Sequence, residues 1–269
     1  MVRQPAVAGR FYPLQPEELA QQIAKFCPAP ANDIRQRALA CVVPHAGYMY
    51  SGHVAGAVYA RLALPHRFIL IWPRHYPRGA AQAILSEGSW QTPLGQVQID
   101  SSLATELKQA CANLREDAVA HRDEHALEVQ LPFLQELAGD FRFVPIALGP
   151  VHYPALESLG KALAEVVARQ NEPVLLIASS DMNHYEPDDV TRRKDAMAIE
   201  RILALDARGV YETVRREQIS MCGIGPAVAT LIAANLLGAA RAELVRYATS
   251  GDINGDRDAV VGYAGIIVK

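Results

Sequence analysis

Cysteine is scarce in this 269-residue chain, and its four copies lie far apart. Cys27, Cys41, Cys111 and Cys222 form no Cys-x-x-Cys pair. This argues against a zinc ribbon and against the disulfide framework of a small secreted domain. We therefore expect the protein to work in a reducing, cytoplasmic environment.

Long apolar runs and clusters of basic residues are also missing. No stretch of about 18 apolar residues occurs, and the opening segment MVRQPAVAGRFYP lacks the apolar core of a signal peptide. Lysine and arginine number 26 against 29 acidic residues, for a net charge of −3, with no dense basic patch to follow a phosphate backbone. We expect neither a membrane nor a nucleic acid as a partner.

Glycine and proline are close to average, at 18 and 17 residues, which excludes collagen and low-complexity disorder. The sequence has no internal repeat, and its only linker-like segment, 27–37, is short. Half of the residues are hydrophobic. A chain of this length should bury roughly three quarters of its unfolded surface on folding. We expect a single domain over residues 1–269.

Apolar runs and helical patterns alternate along the chain, which predicts a three-layer α/β/α domain with a mixed central sheet. The predicted strands are 39–43, 68–72, 143–148, 174–179, 242–249 and 260–268, the last two possibly antiparallel, with a hairpin or meander over 83–100 at the sheet edge. The predicted helices are 16–25, 52–64, 101–113, 124–137, 154–168, 189–205, 207–216 and 225–237.

Histidines follow three of the predicted strands. His45, His75 and His184 each lie in the loop after a strand, and such loops meet at one edge of an open α/β sheet. Cys222 lies at the predicted start of a helix, where the dipole and free N–H groups favour a thiolate. Each residue alone is more often a hydrogen-bonded loop residue or, for the cysteine, a small buried one. Together they predict a shared cleft.

Two imidazoles and one anionic ligand from separate loops would reproduce the facial arrangement of non-haem iron oxygenases, with a thiolate in place of the carboxylate. The sequence thus suggests a metal site, and the thiolate leaves the choice of metal open. His184, with an unperturbed pKa near neutrality, is the candidate general acid or base, and Asp181 could orient its ring.

Five segments occur in order at characteristic spacing: VPHAGYMYSG, WPRHYPRG, DEHALEVQLPFL, SSDMNH and MCGIGP. They resemble the Memo family (mediator of cell motility), whose bacterial members are called AmmeMemoRadiSam system protein B. The resemblance runs from Ala8 to Gly265. It implies a fold like that of the class III extradiol dioxygenases. It also implies an association with AMMECR-type and radical-SAM proteins, although this chain lacks the Cys-x3-Cys-x2-Cys motif of a radical-SAM enzyme.

The resemblance assigns the metal site to His45, His75 and Cys222, and it places Asp181 and His184 in the neighbouring cleft. Ferrous iron is the metal we expect, with copper as an alternative and zinc as an adventitious occupant. The chain departs from many family members in having Trp-Pro-Arg before His75. Arg74 could therefore bind an anionic substrate, although we favour a solvent-facing side chain.

The segment DEHALE has two interpretations. In one, Glu124, His125 and Glu128 border the cleft and His125 binds substrate. In the other, the acids begin a helix whose apolar residues pack inward. The choice stays open for His125, and packing is favoured for Glu128.

Three functions fit these residues. The first is a metal-dependent, dioxygenase-like oxidoreductase acting on an unknown small-molecule or peptide substrate. The second is a non-catalytic protein that binds a peptide or an anion in the same cleft. The third, a cysteine hydrolase with Cys222 as nucleophile and His184 as base, leaves His45 and His75 without roles.

Overall fold

The structure, a computed structural model, describes residues 1–28 and 35–269. Residues 29–34, within the predicted linker 27–37, lie outside the described residues. The strands are β1 Val2–Arg3, β2 Ala40–Val43, β3 Arg67–Pro73, β4 Gln82–Ile84, β5 Ser89–Thr92, β6 Gly95–Ile99, β7 Arg115–Glu116, β8 Arg142–Leu148, β9 Leu175–Ser179, β10 His184–Glu186, β11 Ala242–Thr249 and β12 Val260–Val268. The helices are α1 Pro16–Phe26, α2 Tyr48–Ala60, α3 Ser101–Ala110, α4 Val119–Arg122, α5 Leu131–Ala138, α6 Tyr153–Ala168, α7 Asp188–Leu203, α8 Ala207–Arg216, α9 Ile224–Leu236 and α10 Gly251–Asn254, with a 3₁₀ turn at Glu128–Gln130.

One mixed sheet contains these strands in the order β1-β5-β6-β8-β3-β9-β2-β12-β10, and β11 and β4 branch from it. Its centre, from β6 to β2, is parallel. β12 then pairs antiparallel with β2 and with β11. The predicted mixed sheet and antiparallel final pair are therefore confirmed.

Helices cover both faces of the sheet, and the side chains of β3 show how. Ile69 and Ile71 belong to the core beneath α3, α6 and α9, whereas Phe68 and Leu70 belong to the core beneath α1, α2 and α5. Successive residues of a strand point to opposite faces, so a continuous apolar run is required where both faces are covered. The three-layer α/β/α fold is thus the one that the apolar runs predict.

The parallel strands β2, β3, β8 and β9 have their carboxyl ends at the same edge of the sheet. The segments that lead to His45, His75 and His184 begin at this edge, after β2, β3 and β9. β2 and β3 are joined through α2 as predicted, but β9 lies between them and pairs with both. The loop after this inserted strand carries Asp181 and leads to His184, the first residue of β10, which pairs with β12 on the far side of β2. In the described residues, no helix has both the length and the apolar character required to span a bilayer.

Close packing of α1 on α2 fixes the helix that follows the His45 loop. A Cβ atom at Gly56 would lie 2.7 Å from the carbonyl carbon of Phe26, so the end of α1 rests directly on the glycine. Glycine in a helix normally costs about 1 kcal/mol relative to alanine. At position 56 the contact with Phe26 leaves no room for a larger residue, so glycine is required.

Gly56→Ala should therefore lower the free energy of unfolding by about 1–3 kcal/mol through overpacking, instead of raising it. Urea unfolding followed by tryptophan fluorescence measures this change. Ala57→Ser, at the adjacent and partly exposed position, is the control and should change stability by about 0.5 kcal/mol or less. An unfolding free energy for Gly56→Ala equal to or above that of the unsubstituted protein would contradict the packing argument.

Candidate metal centre

Three imidazoles converge at the carboxyl edge of the sheet. His45 follows β2, His75 follows β3, and His125 lies in the irregular segment between α4 and the 3₁₀ turn. One ligand nitrogen of each lies within 4.8 Å of the others. The ring centroids are 5.2 Å apart for His45 and His75 and 4.7 Å apart for His75 and His125. They line an open cleft of about 730 Å³ that also contains His184, which confirms that the strand-end histidines share one edge.

The hydrogen bonds of Ser179 fix the tautomer of His45. The Ser179 hydroxyl donates to the carbonyl of Ala126 at 2.7 Å, so its oxygen can only accept from His45 Nδ1, 2.9 Å away, and from Gln130 Nε2. His45 therefore carries its proton on Nδ1 and directs the lone pair of Nε2 into the cluster. Burial lowers the pKa of His45 well below its usual value, so the ring is neutral near pH 7.

Glu124 fixes the orientation of His75 in the same way. Its carboxylate accepts hydrogen bonds from the backbone N–H of His75 at 2.7 Å and from His75 Nδ1 at 2.8 Å. Burial opposes ionisation of Glu124, but the hydrogen bond and charge of His75 outweigh it and lower the pKa to about 2. Nε2 of His75 is then left free for a ligand, as in the carboxylate–histidine pairs that surround many metal sites.

Glu124 also determines the shape of the segment that carries His125. Its Oε1 accepts from the backbone N–H groups of His125 at 2.9 Å and Ala126 at 3.3 Å, and it lies 3.3 Å from His125 Nδ1. These side-chain bonds replace helical ones. The predicted helix over 124–137 is therefore wrong in its first part: residues 124–127 are irregular or in a turn, and the regular α-helix begins only at Leu131. Burial lowers the pKa of His125 to about 4.

Glu128 lies beneath the cluster and does not border the cleft, as the packing interpretation expected. It is fully buried and forms an ion pair with Arg3. It also accepts hydrogen bonds from the backbone N–H groups of Ala6 at 2.7 Å and Val7 at 3.0 Å and from the Tyr12 hydroxyl at 2.6 Å. Arg3 bonds in addition to the backbone carbonyls of His121 and Glu124. The N-terminal segment is thus tied to the segment that bears His125.

Cys222 lies beside His45, with Sγ 3.3 Å from His45 Nε2. The Asp181 backbone N–H points at the sulfur from 3.3 Å. α9 begins at Ile224, so Cys222 precedes its first turn. Burial, reinforced by the nearby Asp181, raises the pKa of the Cys222 thiol. The expectation that the helix start favours a thiolate is therefore wrong for the metal-free protein, where burial dominates.

Asp181 and His184 lie on the same side of the cleft but have different partners. Asp181 Oδ1 accepts the backbone N–H of His45 at 2.7 Å, and burial raises the pKa of this carboxyl. His184 Nδ1 lies 2.9 Å from the carbonyl oxygen of Ser220, which can only accept. Ser220, and not Asp181, therefore orients the His184 ring and leaves its Nε2 unprotonated in the neutral form.

Arg74 is directed away from the three imidazoles. Its Nη1 donates to the carbonyl groups of Arg78 and Ala80, both at 2.9 Å, and to that of Gly79. The solvent-facing orientation favoured from the sequence is therefore wrong: the side chain is partly buried and lines a second cavity next to the cleft, to which Cys222 also contributes. It holds the loop after His75 in a closed turn, and its role in substrate binding stays a prediction.

Several residues of the site carried no clear sequence signal. Ser179 and Gln130 bond to His45 or its loop through contacts made only in the folded chain. Phe11, Tyr50 and Tyr263 line the cleft from the N-terminal segment, α2 and β12. The one hint that the sequence offers is that Ser179 is the first residue of the segment SSDMNH.

The sequence comparisons agree with these features. A family model described as Memo-like protein matches residues 3–267. The chain is 44% identical to MEMO1 family protein MK0963 of Methanopyrus kandleri, over 100% of this chain and 99% of the relative. It is 45% identical to MEMO1 family protein Mbar_A1422 of Methanosarcina barkeri, over 100% of each.

Among solved structures, the fold is similar to that of an uncharacterized protein, JW3007, from Escherichia coli K12. The TM-score is 0.55 at 12% identity, covering 86% of this chain and 100% of that one. The likeness concerns the fold alone.

The ion pair of Glu124 and His75 yields a prediction for titration. Burial alone would lower the pKa of His75, and the hydrogen bond to Glu124 is what raises it. Glu124→Gln keeps a side chain of similar size but removes the charge, so the pKa of His75 should fall. An NMR titration of the ring resonances in metal-free protein measures it. His53, whose pKa is lowered by burial and by Arg246 and not by Glu124, is the internal control and should not move. An unchanged His75 titration would show that Glu124 does not control this ring.

Proposed function

This chain belongs to the Memo family, and from that membership and the geometry of the cleft we propose that it is a metal-dependent oxidoreductase using non-haem iron, with copper as the alternative metal. The proposal rests above all on the convergence of three imidazole nitrogens within 4.8 Å. Two of the rings, His45 and His75, have their Nδ1 atoms occupied by Ser179 and Glu124. Their Nε2 atoms are thereby prepared for a ligand.

The donor set favours a borderline or soft metal. Imidazole and thiolate suit iron, copper and zinc, whereas magnesium and calcium prefer oxygen ligands. Zinc fits the same donors and would be an adventitious occupant. Bound iron or copper would supply the one-electron chemistry needed to activate dioxygen.

We propose Cys222 as the third ligand and His125 as a substrate contact, with His125 as the alternative third ligand because its nitrogen lies within 4.8 Å of those of His45 and His75. Cys222 Sγ lies 3.3 Å from His45 Nε2, so these two donors could hold one metal together. His125 is stacked on His75, with ring centroids 4.7 Å apart, and lines the cleft.

His184 is the proposed acid or base. Its Nδ1 proton is held by the Ser220 carbonyl, so Nε2 can accept a proton from a substrate in the cleft. Asp181 has a different task, because it holds the backbone of His45 in place. A cysteine hydrolase is disfavoured: the thiol contacts His45, not His184, and its raised pKa makes it a poor nucleophile.

A binding protein is the second candidate, and the exposed residues of the cleft favour it. Tyr185 is 78% exposed and Met49 is 61% exposed at its rim. Such side chains could bind an apolar part of a peptide without any metal.

Metal titration tests the ligand assignment. His45→Ala, His75→Ala and Cys222→Ser should each weaken the binding of Fe(II) or Cu(I) by at least about tenfold, because each removes a donor. His125→Ala should weaken binding by less, and His53→Ala should leave it unchanged. Anaerobic titration of the apo-proteins measures this. A large loss in His125→Ala with none in Cys222→Ser would make His125 the third ligand instead.

Oxygen uptake separates the two functions. The iron-loaded protein, supplied with ascorbate as electron donor, should consume dioxygen faster than the His45→Ala/His75→Ala double variant treated identically. Metal analysis of protein purified without added ions should detect iron or copper. Equal oxygen uptake by both proteins, together with metal-free purified protein, would favour the binding function.

A further inference from the structure

A second cavity, of about 320 Å³, lies on the other side of Cys222 from the histidine cleft. Cys222 lines both spaces. The cavity is formed by the segments after β3 and β8, by the start of α9 and by the end of α8. It therefore belongs to the same sheet edge as the candidate metal centre, where ligands of α/β proteins commonly bind.

The charged residues of this cavity are all basic. Arg74 and Arg215 line it, and no acidic residue does so among the described residues. The guanidinium of Arg215 lies 5.3 Å from the centre of the Tyr211 ring. The Nε atom of Arg74 is buried without a hydrogen-bond acceptor, although its Nη1 atom is satisfied by backbone carbonyls. A buried donor on a cation is costly unless a ligand or water satisfies it.

Two helices also begin at the wall of the cavity. α9 starts at Ile224, and α6 starts at Tyr153, next to the lining residue His152. The first N–H groups of a helix have no intrahelical acceptor and carry partial positive charge. Their partial positive charge adds to the positive electrostatic potential that the two arginines create in the cavity. The remaining wall is apolar, with Leu148 and Leu156.

We propose that this cavity binds the anionic group of a small molecule, a carboxylate or a phosphate, whose other end reaches the metal cluster past Cys222. The two arginines recognise the anion, and the apolar wall accommodates a short carbon skeleton. The second half of the proposal rests on the proposed metal site. The anion site itself does not, because the two arginines that would bind the anion are not among the proposed metal ligands.

The test is calorimetric titration of the metal-free protein at low ionic strength with inorganic phosphate and, separately, with acetate. At least one of the two should bind, and their relative affinity tells phosphate from carboxylate. Arg215→Gln should raise the Kd about tenfold, a change of about 1.4 kcal/mol that is typical of losing a charge-assisted hydrogen bond. Arg215→Lys, which keeps the charge, should raise it less.

Arg216→Gln is the matched control. Arg216 is the neighbouring residue on α8, is exposed and pairs with Glu217 at 2.7 Å, so its loss should leave the Kd unchanged. Arg74→Gln is a second variant and should weaken binding as well. Its thermal unfolding must be recorded, because Arg74 also holds the loop after His75.

Chemical labelling of Cys222 tests whether the bound anion lies next to this residue. Saturating phosphate or acetate should slow the reaction of iodoacetamide with Cys222 but not with Cys27, which lies elsewhere. Absence of anion binding, or an equal Kd in Arg215→Gln and Arg216→Gln, would overturn the anion site. Anion binding without protection of Cys222 would overturn its connection to the metal cluster. Failure of metal binding alone would leave the anion site standing.

Discussion

A single buried carboxylate, that of Glu128, connects the start of the chain to the candidate metal centre. It is fully buried and forms an ion pair with Arg3. It also accepts hydrogen bonds from two backbone N–H groups and from the Tyr12 hydroxyl. Breaking a buried pair of this kind by removing one partner leaves an uncompensated charge and typically costs about 3–5 kcal/mol. The geometry of residues 121–128 therefore depends on a segment more than a hundred residues earlier in the sequence.

Glu124 and Glu128, four positions apart, have different structural roles in this region. Glu128 organises the structure beneath the cluster, and Glu124 organises the cluster itself by bonding to His75 and to the backbone that follows. The sequence places both on one helical face, but Glu124 prevents that helix from forming. The result is a rigid turn that presents His125 beside His75. The arrangement is built from ordinary hydrogen bonds, and burial lowers the pKa values of His45 and His125, so both rings are neutral near pH 7.

The sequence predicted those parts of the fold that depend on local patterns. Burial imposes a regular pattern of apolar residues on these elements. It made β3, β8 and β9 recognisable as apolar runs, and α6 and α9 recognisable by their helical spacing. The two- and three-residue strands β1, β7 and β10 were missed, since their stability comes from distant partners. The shared edge of His45, His75 and His184 followed from the position of each histidine after the carboxyl end of a predicted strand. The contacts that orient them, from Ser179, Glu124 and Ser220, arise only on folding and left no periodic pattern.

The place of β12 in the sheet has a consequence for biosynthesis. This strand pairs with β2, β10 and β11, and so it supports both the strand before His45 and the strand that begins at His184. It is translated after every candidate ligand. Proteins fold domain by domain as they emerge from the ribosome, and contacts distant in sequence form late. A nascent chain would therefore expose His45, His75 and Cys222 before the sheet that positions them is complete. Metal acquisition should accordingly follow the pairing of β12 with β2 and β10, which completes this part of the sheet.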